Sequence, residues 1–172
     1  MSKKIPSKIP ENIKEYISYN SVTGDLTWIK RPSNRAQVGT IAGNANSTNG
    51  YTVIEFKHVP YKAHRVAWFL KTGEQPPDEI DHRDGDGLNN AWGNLRDATH
   101  NQNQHNKGKQ HGNSSGYKGV TYVKTADKWR ARIMLNNKSI HLGYFDAPEL
   151  AHEAYCKAAD EYHKEFANHG TN

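Results

Sequence analysis

Ile80-Asp81-His82-Arg83-Asp84-Gly85-Asp86-Gly87-Leu88-Asn89-Asn90, followed by Asn94-Leu95-Arg96 and Asn101-Gln102-Asn103, is the stretch on which the reading of this chain turns. Cleaving a phosphodiester needs a base for water and positive charge near the leaving oxygen. An Asp beside a His can supply both, the carboxylate through a bound hard cation and the imidazole as a neutral base. Asp84-Gly85-Asp86-Gly87 is turn-forming and would fold one strand back on another. Residues 90–103 leave room for a short helix that brings a second oxygen ligand. The expectation is a β-turn-β-helix clamp around one ion. Adjacent residues on a regular strand face opposite sides, so Asp81 and His82 share a site only if the strand ends or bulges there.

Working outward, the 172 residues have room for one ordinary domain or two small ones. Hydrophobic residues make up 34%, and the mean hydropathy of −0.97 fits small cores under large wet surfaces. No apolar run approaches the roughly 18 residues of a membrane span, and Met1-Ser2-Lys3-Lys4-Ile5-Pro6 leads into no apolar segment. The expected class is therefore a cytoplasmic protein with no membrane partner. A single cysteine, Cys156, excludes an internal disulfide and a CxxC zinc knuckle; it reads as a core residue of the last helix.

The net charge of +5 is unevenly spread. Residues 1–62 carry nine Lys/Arg against four Asp/Glu, and residues 113–145 carry six against one. The middle, 63–112, is near balance with six against seven, and 146–172 carries two against six. Two basic flanks around a centre rich in Asp, His and Asn are the pattern of a nucleic-acid enzyme. Residues 1–12 read as a loose arm. Gly24–Ile29 and Tyr51–Lys57 read as strands, Gly39–Gly50 as loop, and Ala63–Lys71 as a short helix ending near Gly73. Residues 104–116 contain no hydrophobic side chain and read as a linker.

Beyond the linker, Trp129, Ala131 and Ile133 alternate with Arg130, Arg132 and Met134, and Ile140, Leu142 and Tyr144 alternate similarly. Both are half-buried strands by their period of two. Asp146 with Glu149 looks like a capping-box start, and Ala151, Ala154, Tyr155, Ala158 and Tyr162 follow helical spacing. The unit is three strands and a helix. Lys118, Lys124, Lys128 and Lys138 fall within or beside the strands, with Arg130 and Arg132 opposite the apolar face, and the six acids of 146–172 lie on or near the helix, so one face suits a wide DNA groove.

Asp81-His82, Asn94 twelve residues after the histidine, and Asn103 twenty-two after the aspartate resemble the HNH nuclease motif. The likeness is to its phage homing-endonuclease branch, in which asparagine replaces the last histidine, and Ala63-His64-Arg65, Thr72-Gly73 and Asn94–Thr99 share in it. It covers about residues 50–107. The resemblance implies that His82 is the general base, that Asp81 and Asn103 bind a divalent cation, Mg²⁺ or Mn²⁺, and that Asn94 braces the ββα unit across its loop. Other readings of the same residues are weaker. Asp84 and Asp86 lack the later acidic ligand of a calcium loop and read as turn formers. A zinc site from His100, His105 and His111 lacks a cysteine partner and helical i,i+4 spacing. His64 is either a packing residue or a phosphate contact, with packing favoured.

Tyr117-Lys118-Gly119-Val120, Trp129–Ile133, His141–Phe145 and Glu149–Tyr155 resemble the plant ethylene-response-factor (apetala-type) DNA-binding domain over about residues 113–169. That family lays its three-stranded sheet in the major groove. Thr121, Val123, Met134, Ser139 and His141 depart from the arginines and tryptophans of the plant proteins, so groove docking carries over and the plant target sequence does not.

The expectation is an α+β chain. Residues 1–103 would hold the N-terminal strands and a ββα-metal HNH nuclease domain (core about 78–107), 104–116 a linker, and 117–172 a three-stranded antiparallel sheet packed on one helix. The function expected is a metal-dependent DNA endonuclease acting on double-stranded DNA, with Arg96, Lys107, Lys118, Arg130, Arg132 and Lys138 touching the duplex. One active site per chain fits a monomer that nicks or a homodimer that cuts both strands. The alternative is a non-cleaving DNA-binding regulator on a nuclease-like scaffold. An RNA-binding protein is disfavoured because the sheet face offers arginine and lysine more than stacking rings.

Overall fold

The computed structural model describes residues 5–33, 36–46, 50–109 and 112–170. They divide into two compact units, one up to Ala98 and one from Thr99 onward.

In the first unit, β1 (Ile17–Tyr19) pairs with β2 (Leu26–Trp28). A second sheet runs β3 (Asn44–Asn46), β4 (Tyr51–Phe56), β5 (Val59–Lys62), all antiparallel. Helix α1 (Ala63–Thr72) follows, then the pair β6 (Glu79–His82) and β7 (Leu95–Ala98). Ile13, Ile17, Ile54, Phe56 and Val66 are the largest wholly enclosed side chains of its core. Val66, Ala67 and Phe69 turn one stripe of α1 into that core, and the helix stops where Gly73 turns left-handed and donates its N–H to Phe69 O.

The expected loose arm is partly anchored. Residues 1–4 lie outside the described set, but Ile9 is 2% exposed and exchanges two backbone bonds with the Gln75 side chain, each 2.8 Å. Arg65, also buried, closes the same corner: its guanidinium donates to the carbonyls of Ser7, Pro76, Pro77 and Asp78. Within the expected loop 39–50, residues 44–46 form β3, because β4 offers them a free edge; residues 47–49 lie outside the described set.

In the second unit, α2 (His100–Asn106) is followed by β8 (Val120–Val123), β9 (Lys128–Leu135) and β10 (Lys138–Phe145), then α3 (Pro148–His163). The sheet is antiparallel in the order β10-β9-β8. Asn136 and Asn137, at φ 49° and 62°, close a two-residue hairpin, a conformation asparagine tolerates. Ala151, Tyr155, Ala158 and Ala159 of α3 are buried with Val120, Ala131 and Ile133 of the sheet. Gly119 lets them close up: at φ +76°, a Cβ there would sit 2.1 Å from the Tyr155 ring.

Two expectations change here. The Asp146–Glu149 capping box does not form. Ala147 is the N-cap, Pro148 opens α3, and the two carboxylates instead meet Lys128 Nζ (2.6 Å) and Tyr117 OH (3.2 Å). The expected linker also starts too early, because residues 104–106 are the last turn of α2. That helix begins with a true capping box between Thr99 and Gln102. Its far end is fastened to the rest of the unit, with Asn168 Nδ2 donating to Asn106 O and Lys118 Nζ to His105 O, both at 2.8 Å. Residues 107–109 and 112–116 carry no helix or strand, and Gln110 and His111 lie outside the described set.

Candidate active site and nucleic-acid face

Hairpin β6–β7 puts Asp81 opposite Arg96 and His82 opposite Leu95 in unbroken register. The strand does not bulge; it ends, with His82 as its last residue. Both side chains are buried, Asp81 at 3% and His82 at 5% exposure. Asp81 Oδ2 accepts from Arg96 Nε and Nη2, each at 2.7 Å. The sequence alone suggests that Arg96 contacts DNA. It is instead 7% exposed and holds the carboxylate in place.

The His82 ring lies 5.0 Å from His64, edge to face, and 5.8 Å from Tyr51. Its Nε2 is 3.4 Å from Asn90 Oδ1. Burial lowers its pKa, outweighing the Asn90 hydrogen bond and the charges of Asp84, Asp81 and Asp86, so the ring is neutral at pH 7. With Nε2–H donating to Asn90, Nδ1 carries the basic lone pair. His64 packs here, from α1, and its pKa falls well below the usual value through burial first and then the neighbouring His82. Its Nδ1 is buried with no hydrogen-bond partner among the described residues.

Residues 83–94 connect the two strands, and their side chains set the loop's shape. Asn94 spans it: Oδ1 accepts from Asp84 N–H at 3.0 Å, while Nδ2 donates to Asp84 Oδ1 at 2.9 Å and to Asn89 O at 2.8 Å. Asp84 and Asp86 accept from the N–H groups two residues on, the geometry of turn formers. Burial would raise the Asp84 pKa, but hydrogen bonds from Asn89, Asp86 and Asn94 prevail and lower it. Tyr19 OH donates to Asn90 O from β1, and Gly24 admits the loop backbone so closely that a Cβ would lie 2.4 Å from Ala91 N. Asn90, Tyr51 and Tyr19 were not singled out from sequence. Asn90 sits in an Asn-Asn doublet that reads as turn, and the tyrosines come from strands distant in sequence. Asn103 lies on α2, in the second unit.

On the second unit, alternation along β9 sends Ala131 and Ile133 inward and Arg130, Arg132 and Met134 outward. Thr121 and Tyr144 flank Arg130, and His141 pairs with Arg132. Arg132 and Lys138 are exposed, as is Lys107 just past α2, while Arg130 is half-buried. Lys118 departs from expectation. Its amine donates to His105 O and Asn168 O, and burial pushes its pKa down to about 8. It is a structural lysine rather than a face residue. Of the histidines considered for zinc, His105 stacks on His163 at 3.7 Å and His111 lies outside the described residues.

A β-hairpin bearing Asp81-His82, a short helix next in the chain, and then a three-stranded sheet on one helix define a nuclease domain followed by a DNA-binding domain. Comparison with known proteins agrees. The HNH endonuclease family matches residues 61–105 and the AP2 domain residues 115–165. The chain is 33% identical to Protein 3.8 of Escherichia phage T7 over 111 residues, 62% of this chain and 91% of that protein. No solved structure gives a significant match. The chain belongs to the HNH endonuclease family and carries an AP2 domain after the nuclease region. These domains support DNA as partner, and no described helix is long and apolar enough to cross a membrane.

HNH nucleases typically use divalent metals. Among the described residues no three His, Cys, Asp or Glu gather into a cage. A hard cation that keeps most of its waters needs only one or two carboxylates, so the oxygen donor that Asp81 offers suits Mg²⁺ better than zinc.

Proposed function

We propose that this protein is a metal-dependent DNA endonuclease, with residues 1–103 cutting and residues 117–172 docking. The observation that carries the reading is His82, buried, neutral and aimed by Asn90, at the end of a strand whose preceding residue is an anchored carboxylate. His82 takes a proton from water, the resulting hydroxide attacks phosphorus in line, and the bond from phosphorus to the 3′ oxygen breaks. Burial favours the neutral imidazole that this step requires. Asp81 and Asn103 would hold the cation, Mg²⁺ or Mn²⁺, which supplies positive charge for the phosphate and the departing oxygen. Arg96 fixes the Asp81 carboxylate, and Asn94 keeps the 83–94 loop in shape. The outer sheet face, with Arg130, Arg132 and Lys138, enters the major groove, and Lys107 contacts the backbone beside it.

Plasmid cleavage tests the reading. Wild type with Mg²⁺ should convert supercoiled DNA to open circle or linear form, and EDTA should stop it. His82→Ala should lower the rate by orders of magnitude, about 10²–10⁴-fold for a lost general base. Near-normal cleavage by His82→Ala would sink the mechanism. Binding without conversion across a library of sites would instead establish the non-cleaving regulator.

A further inference from the structure

The second unit contains a groove of about 670 Å³ that the sheet's role leaves unexplained. It is bounded by α2, β8, β9 and α3. Gln104 and Lys107 line one side, Thr121, Arg132 and Asn137 the other, and no Asp or Glu is among its described lining residues. His105, His163 and Lys118 also line it. A cleft offering cations and amide donors with no counter-charge complements a polyanion.

Two further features favour DNA as that polyanion. Arg132 belongs both to the groove and to the outward series of β9, so the groove continues the sheet's basic face. The groove is also preformed. Asn168, Lys118 and the His105–His163 stack fix α2 against the unit, so ordering it on binding costs little.

We propose that this groove takes the sugar–phosphate backbone of the duplex lying on the sheet, with Lys107 and Gln104 of the α2 side and Arg132 and Asn137 of the sheet side contacting its phosphates. The inference rests on the reading of the sheet as the DNA face.

The test is equilibrium binding of the full chain to duplex DNA in EDTA, over a salt series. Lys107→Ala should weaken binding and reduce the slope of log K against log salt by about 0.9, the share of one phosphate. Gln104→Glu and Asn137→Asp, which put carboxylates into the groove, should each weaken binding on the order of tenfold. Unfolding midpoints equal to wild type would show these variants folded. Wild-type affinity and slope in all three, with binding lost in Arg130→Glu, would overturn the groove and leave the sheet reading standing. Wild-type binding by Arg130→Glu would overturn the sheet reading and this inference with it.

Discussion

Arg96 and Asp81 face each other with side chains only 7% and 4% exposed. A charge so placed is costly without its partner, so the pair is better understood through its removal than through its presence. Arg96→Ala leaves the Asp81 carboxylate enclosed and is expected to destabilise the first unit by about 3–5 kcal/mol, read from denaturant unfolding. Arg96→Lys should recover part of that loss, because a lysine carries the charge without the fork that reaches Oδ2 from both Nε and Nη2. Loss-free unfolding of Arg96→Ala would mean the pair does not hold the strand end. Sequence spacing identified Asp81 and His82. It could not show that Arg96 is their support, since an arginine on a short strand reads equally well as surface charge. Lys118 makes the same point: only its contacts with His105 O and Asn168 O distinguish it from a DNA-facing lysine.

Among the elements, those with a strong internal pattern were legible and those made by their partners were not. α1, β4, β9, β10 and α3 carry apolar periodicity. β5 follows a two-residue turn at Lys57-His58, both with positive φ, which lacks the Asn-Gly chemistry that would signal it. β3 is Asn-Ala-Asn and is a strand only because β4 pairs with it. The end of α3 offers a pH test. Burial lowers the His163 pKa despite its 2.7 Å bond to Met134 O, and His105 beside it lies near 4. Below about pH 6.5 the unfolded chain takes up protons that the folded unit refuses. Stability of the second unit should therefore be complete above pH 6.5 and fall as the pH drops toward 4. His163→Gln, followed by thermal unfolding of the Trp129 environment, should make that fall shallower; an unchanged pH slope would assign it elsewhere.

Among the described residues the first unit has a core around Ile54, Phe56 and Val66, and the second has two neighbouring clusters, Ile133 with Tyr155 and Val120 with Ala131, with Leu142 packed against both. The compact second unit begins at Thr99 rather than after the hydrophilic stretch, because α2 is hydrogen-bonded into it. A fragment starting at Thr99 is expected to be more stable than one starting at Asn113. The shorter one strips a hydrogen bond each from Lys118 and Asn168, at about 1–3 kcal/mol for a buried polar group left unmet, and removes the ring that stacks on His163. Equal unfolding midpoints for the two fragments would show α2 to be a passenger.

The sequence by itself determined the family, the α+β class and the alternation that gives the second unit's sheet a basic outer face, and its spacing singled out Asp81, His82, Asn94 and Asn103 as the candidate site. Those features are periodicities and spacings, which a chain carries along its length. Only the tertiary structure decided that His82 is walled in by His64, Tyr51 and Asn90, that Arg96 and Lys118 face inward, and that α2 joins the second unit. Each depends on which distant carbonyl, ring or carboxylate meets a polar group when water is excluded, and polar groups signal no such preference in their order.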